Sequence, residues 1–202
     1  MENSFEWQTI CQCIKNSPKD IQTKTEKEIA YSPMVNIEDA MLKTVVANTS
    51  GICIDKRIRV LGHESIKSHG IGYYNSKFHQ KEFLLVAHDV FGGLFAIKIG
   101  ECDSGAKDVW YFAPDTLRWE NLEINYQLFL NWIIMGNTAQ FYSAMRWDDE
   151  NDYISKIADN EMILFYPFLW SQECCINLAS KKIVPCEELI ELNFEWQRKI
   201  YG

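Results

Sequence analysis

AHDVFGGLFAI, residues Ala87 to Ile97, sets a histidine–aspartate pair and a glycine pair between two apolar runs. It can be read as a catalytic dyad, as a phosphate loop or as a bend in a sheet. Successive residues of a strand point to opposite faces, so His88 and Asp89 cannot face one another as a dyad. Gly92-Gly93 is followed neither by Lys-Ser or Lys-Thr nor by a helical pattern, both of which a phosphate loop requires. Paired glycines between strand patterns mark a bulge or a close backbone approach. The bend is therefore the expected reading. It predicts that Gly92 or Gly93 adopts a backbone conformation closed to other residues, and that Asp89 accepts hydrogen bonds from the amides of the turn.

Working outward, EFLLVAHD and GGLFAIKI read as two apolar strands joined by this bend. Upstream, ICIDKRIRVL alternates around a two-residue turn and predicts a hairpin, Ile52–Ile54 with Arg57–Leu61. Downstream, Asp103–Gly105 reads as a turn and DVWYFA as a strand ended by Pro114-Asp115. These pieces predict an antiparallel meander of at least four or five strands. Helical spacing appears on both sides of it. Phe5, Ile10, Cys13 and Ile14 define a helix from about Phe5 to Lys15, ahead of Pro18. Ile37, Met41, Leu42 and Val45 define a second, capped by Asn36. Asn125 caps a third carrying Leu128, Phe129, Trp132 and Ile133, with Gly136 at its end. Asn137 opens another, RWDDENDYISKIAD holds a further one, and a terminal helix, broken or continuous, starts at Pro185. MILFYPFLW reads as a buried strand or extended segment. The polar stretch KDIQTKTEKEIAYSP reads as a solvated helix or loop. The fold expectation is α+β, a central largely antiparallel meander with helices at both ends. Residues 1–30 are expected to form an N-terminal helical extension and residues 31–202 a single domain.

The bulk properties exclude several function classes. With 202 residues, 47% of them hydrophobic, the chain can bury a core without staples. A formal net charge of −8 argues against a nucleic-acid binder, which needs a basic footprint. The N-terminus MENSFEWQTI lacks a basic start and a long apolar run, and no apolar stretch is long enough to span a bilayer. Seven cysteines, including Cys11, Cys13 and the adjacent Cys174 and Cys175, lack metal-knuckle or redox spacing. They read as reduced thiols in a cytoplasmic protein. Cys102 lies between Glu101 and Asp103, which oppose a thiolate. The histidines at 63, 69, 79 and 88 form no helical metal pair, so no catalytic, metal or cofactor residue is assigned and no cofactor is expected.

Two places remain for a binding surface. Gly62–Lys81 reads as a long loop holding three of the four histidines. Loops of that length in a compact domain are often functional. PDTLRWENL and RWDDEND set tryptophans among charges, which makes Asp115, Arg118, Trp119, Trp147, Asp148 and Asp149 the candidate partner-binding residues.

YSPMVNIEDAMLKTVVANTSGICIDKRIRVLG, LLVAHDVFGGLFAI, VWYFAPDTLRWENL, FLNWIIMGNTAQFYSAMRW and FYPFLW resemble the successive blocks of the bacterial family called domain of unknown function 2625, from about Tyr31 to Trp170. YFAPDTLRWENL is the most specific tract. The order of elements is also similar, more distantly, to the SMI1/KNR4-like superfamily. That resemblance implies a non-enzymatic protein-interaction module with a protein partner, such as a toxin-immunity protein facing a basic toxin. The family supplies no catalytic residues to transfer. The rival expectation is a small-molecule binder or hydrolase that uses the Gly62–Lys81 loop as a lid. A deep pocket with convergent polar groups would favour the rival.

Overall fold

A computed structural model describes residues 4–26, 34–99 and 107–202. Seven strands pair in chain order into one antiparallel sheet: β1 (Ile21–Lys24), β2 (Gly51–Ile54), β3 (Ile58–Leu61), β4 (Phe83–Asp89), β5 (Leu94–Lys98), β6 (Asp108–Ala113) and β7 (Arg118–Asn125). A separate two-stranded sheet joins β8 (Glu161–Tyr166) to β9 (Ser180–Pro185). The helices are α1 (Phe5–Asn16), α2 (Ala40–Asn48), α3 (Ile71–Lys77), α4 (Tyr126–Met135), α5 (Thr138–Phe141), α6 (Glu150–Ile154) and α7 (Cys186–Tyr201). The expected α+β meander with helices on both sides of it in the chain is present.

The bend at the centre of the sequence is a turn built around Asp89. Gly92 has φ +89°, a left-handed conformation that a side chain resists. Asp89 Oδ1 accepts the amides of Phe91 at 2.9 Å and Gly93 at 2.8 Å. Its Oδ2 accepts the hydroxyls of Tyr111 at 2.8 Å and Tyr142 at 3.0 Å. A Cβ on Gly93 would fall 2.3 Å from the Tyr111 hydroxyl, so this carboxylate cluster leaves room only for glycine. The carboxylate is fully buried, and burial pushes its pKa up while the four donors oppose the shift. All four of its bonds are used to hold a turn.

Register divides the sheet into two faces. Val60, Ala87, Phe95 and Tyr111 lie side by side. They face α4, where the Phe95 ring sits 4.9 Å from that of Phe129, and α1 and α2 pack with α4 in the same layer. Arg59, His88, Leu94, Phe112 and Trp119 form the corresponding row on the other face. There Tyr74 of α3 covers His88, with ring centroids 5.3 Å apart, and Phe194 of α7 covers Phe112 at 5.1 Å.

Several local expectations are corrected. Part of the polar stretch after Pro18 is a strand: β1 pairs with β2 from Ile21 opposite Ile54 to Lys24 opposite Gly51. The segment before it is tied to α4, where Ser17 Oγ donates to the Ile134 carbonyl at 2.6 Å and Lys19 Nζ to that of Ile133 at 2.7 Å. A cation at the carbonyl end of a helix is well placed against its dipole. The boundary drawn at residues 30 and 31 lies outside the described residues, as do Cys102 and the Asp103–Gly105 turn. The cap of α2 is Asp39, which accepts the Leu42 amide at 2.8 Å, rather than Asn36. Gly62–Lys81 is not one long loop, because Ile71–Lys77 is helical and buries Ile71 and Tyr74. RWENLEIN is a strand, SKKIVP is another, and α7 runs unbroken. No described helix is long and apolar enough to cross a membrane.

Candidate functional site

The face that carries Arg59 and His88 is not filled evenly. At β1 to β4, a cavity of about 340 Å³ lies between the sheet, the segment leading into α3 and residues 158–160. Its volume is within the range of small-molecule sites.

The floor follows from strand alternation. Ile58 and Val60 point one way and are buried, so Arg59 between them points the other way. Antiparallel register sets Arg59 opposite His88 on β4 and opposite Cys53 on β2. Lys24 reaches the same face from β1. Glu64 shapes one wall: it is buried and accepts the amides of Gly70 at 2.5 Å and Tyr73 at 2.8 Å, which fixes the start of α3. Lys67, Ser68 and His69 line the cavity from this wall.

Arg59 is only 5% exposed. Its Nη2 donates to the Ala158 carbonyl at 3.0 Å, but Nε and Nη1 have no hydrogen-bond partner among the described residues. Asp159 Oδ1 lies 3.4 Å from Nε, close enough to pair in charge but outside hydrogen-bond geometry. The other oxygen of Asp159 pairs with Lys24. His88 is 2% exposed, and its Nδ1 likewise has no partner among the described residues. Burial, reinforced by the Arg59 charge, holds its pKa down at about 3, so the ring is neutral at physiological pH. Burial pushes the thiols of Cys53 and Cys186 up, the latter to about 12. Among the lining residues, the cations Lys24, Arg59 and Lys67 outnumber the carboxylates Glu26 and Asp159, in a chain of net charge −8.

The residues singled out from sequence lie elsewhere. Asp115 is exposed in the turn before β7. Arg118 is exposed with its guanidinium over the Tyr201 ring at 4.4 Å. Trp119 is half-buried, stacked on Phe83 at 4.2 Å and leaning on Phe112. Trp147 is a core residue, packed among Phe91, Tyr153 and Phe165. Asp148 and Asp149 are exposed, whereas the neighbouring Glu150 is buried and paired with Arg57 and Arg146. The structure thus anchors Trp119 on the edge strand β7 and Trp147 at the β4–β5 turn, in separate packing clusters. Among the described residues no group of three or more His, Cys, Asp and Glu is placed to hold a metal. His69 instead stacks on Tyr73 at 3.6 Å, and His63 Nδ1 sits 3.0 Å from the Glu64 carbonyl. Cys11, Cys13, Cys53, Cys174, Cys175 and Cys186 are free thiols.

Sequence reasoning missed the cavity because its residues come from positions 24 to 160 and form no motif. One signal was present. Arg59 and His88 are the polar exceptions at inward positions of two apolar strands, and hairpin register puts them side by side.

Comparison with known proteins shows that the profile of the family described as "Protein of unknown function DUF2625" matches residues 2–189. An Escherichia coli (strain K12) protein, the uncharacterised YbfG, is 30% identical over 194 residues, covering 90% of this chain and 89% of the relative. An uncharacterised Haemophilus influenzae (strain Rd) protein is 29% identical over 208 aligned positions, covering 96% and 90%.

Proposed function

The chain belongs to the DUF2625 family, and we propose that it binds a small molecule in the cavity over β1–β4 without performing chemistry on it. One observation carries this reading: Arg59 and His88, both buried, line a cavity large enough for a metabolite, and Arg59 Nε and Nη1 have no hydrogen-bond partner among the described residues. Buried polar groups are almost always satisfied, because each unmet donor or acceptor costs about 1–3 kcal/mol and a charged one more. A ligand that supplies the missing partners recovers that cost on binding. Binding is favoured over catalysis because the groups at hand are poorly tuned for it. A general base works best with a pKa near the operating pH, and His88 lies far below it. A cysteine nucleophile needs a lowered pKa, and both cysteines of this region are raised.

The test is a thermal-shift screen of a mixed metabolite set against the parent protein and Ser68→Trp, which fills the cavity from its wall without altering its charge. Compounds that stabilise the parent and not the folded Ser68→Trp variant support the reading. Compounds that stabilise both alike bind elsewhere and count against it.

A protein-interaction role, toxin immunity included, is the second reading. It rests on the resemblance to SMI1/KNR4-like proteins and on the exposed Asp115, Arg118, Asp148 and Asp149. The burial of Trp147 removes one of the two aromatic anchors that such a face would use.

A further inference from the structure

We infer that the ligand of this cavity carries an anionic group, a carboxylate or a phosphoryl group, which docks on Arg59 and Lys24 in place of the side chain of Asp159. Asp159 is then an internal competitor for the site. The inference rests on the binding reading above and adds the ligand's chemistry and its control.

The geometry separates Asp159 from an ordinary structural ion pair. Its carboxylate reaches two cations of the floor, Lys24 on β1 and Arg59 on β3, from the loop that precedes β8. It pairs with Lys24 through one oxygen, yet it fails to make the hydrogen bond to Arg59 that its position invites, because Nε, 3.4 Å away, has no hydrogen-bond partner among the described residues. The Asp159 side chain is 42% exposed, while that of Arg59 is 6% exposed. The charge that is costly to bury is thus matched by a carboxylate that is partly solvated and held at one end only. A free anion in the place of Asp159 can take the Nε–H that Asp159 leaves unmet, and charge-assisted hydrogen bonds of that kind are the strong ones. Water readily solvates the displaced Asp159, given its exposure. His88 suits the same group in a complementary way. Because it is neutral, it borders the place of the anion beside Arg59 as a polar neighbour without altering the charge balance there.

The experiment titrates inorganic phosphate, succinate and, as a neutral control, succinamide into the parent protein, Asp159→Asn and Arg59→Met, with amide NMR shifts read around the cavity. Asp159→Asn keeps the size of the side chain at a partly exposed position and removes only the competing charge. It should bind phosphate or succinate roughly fivefold or more tightly than the parent does, as expected for removal of about 1 kcal/mol of like-charge competition. Succinamide should show no such gain. Arg59→Met should weaken the anion at least about 30-fold, the effect of truncating one side of a buried charged pair. A gain for phosphate alone assigns a phosphoryl ligand and a gain for succinate alone a carboxylate. Equal or weaker anion binding by Asp159→Asn overturns the inference even if Arg59→Met proves unstable. If cavity-directed compounds are found while Asp159→Asn gains nothing for either anion, the binding reading stands and this one falls.

Discussion

Asp89 and His88 are neighbours with opposite duties, and strand alternation is the reason. Asp89 turns toward Tyr111 and Tyr142 and spends every acceptor on the β4–β5 turn, whereas His88 turns toward Arg59 and the cavity. Asp89→Ala leaves two buried hydroxyls and two amides unpaired, so urea unfolding should show a loss of about 3–5 kcal/mol. Gly92→Val forces a β-branched residue into φ +89° and should cost about 1–3 kcal/mol in the same assay. His88 gives a pH signature. Its folded pKa of about 3 lies below the value near 6.5 of an unfolded histidine, so the unfolded chain takes up the proton first. The stability tied to keeping it neutral is fully present above about pH 6.5 and is lost as pH falls toward 3. Between pH 7 and pH 4.5 the parent should lose roughly 2–3 kcal/mol more than His88→Gln does, at 1.36 kcal/mol per pKa unit. An equal loss in both proteins would show that His88 is not held neutral in the folded state.

At the scale of elements, what could be read from sequence depended on how much of each element is buried. β2 to β6 are apolar runs with turn residues between them, and the two-residue turn at Asp55 and Lys56, both with positive φ, is where alternation placed it. β1 and β7 are the two edges of the sheet, half-exposed and rich in polar residues, so neither stands out from a solvated loop. α3 is seven residues long and owes its helix to burial of Ile71 and Tyr74 and to the buried Glu64 at its start, which no local periodicity reveals. The N-terminal elements illustrate the consequence. α1 and β1 look like an appendage in composition, yet Ile10 is 5% exposed in the main core and Lys19 holds the end of α4. Ile10→Ala should therefore cost about 2–4 kcal/mol of global stability in a single cooperative transition. A separate, early transition confined to this segment would mark it as an appendage after all.

For the molecule as a whole, the fold was largely legible and the candidate site was not. A meander is written in local alternation, but a cavity is written in which residues fail to fill a face, and that depends on contacts between β3, β4, the approach to α3 and the loop before β8. The tryptophans and acidic runs that drew attention in the sequence went partly to the core, as Trp147 shows. The excess of cations over carboxylates in this one cavity, within a chain of net charge −8, is the feature that composition averages away. The most direct measurement of the central claim is the Nε–H resonance of Arg59, assigned by its loss in Arg59→Met and followed while cavity-directed anions are added. A bound anion that satisfies this donor should move the resonance strongly and slow its exchange with water, in step with the binding curve. If the resonance stays put while an anion saturates the protein, Arg59 Nε is not the binding site and the account is wrong.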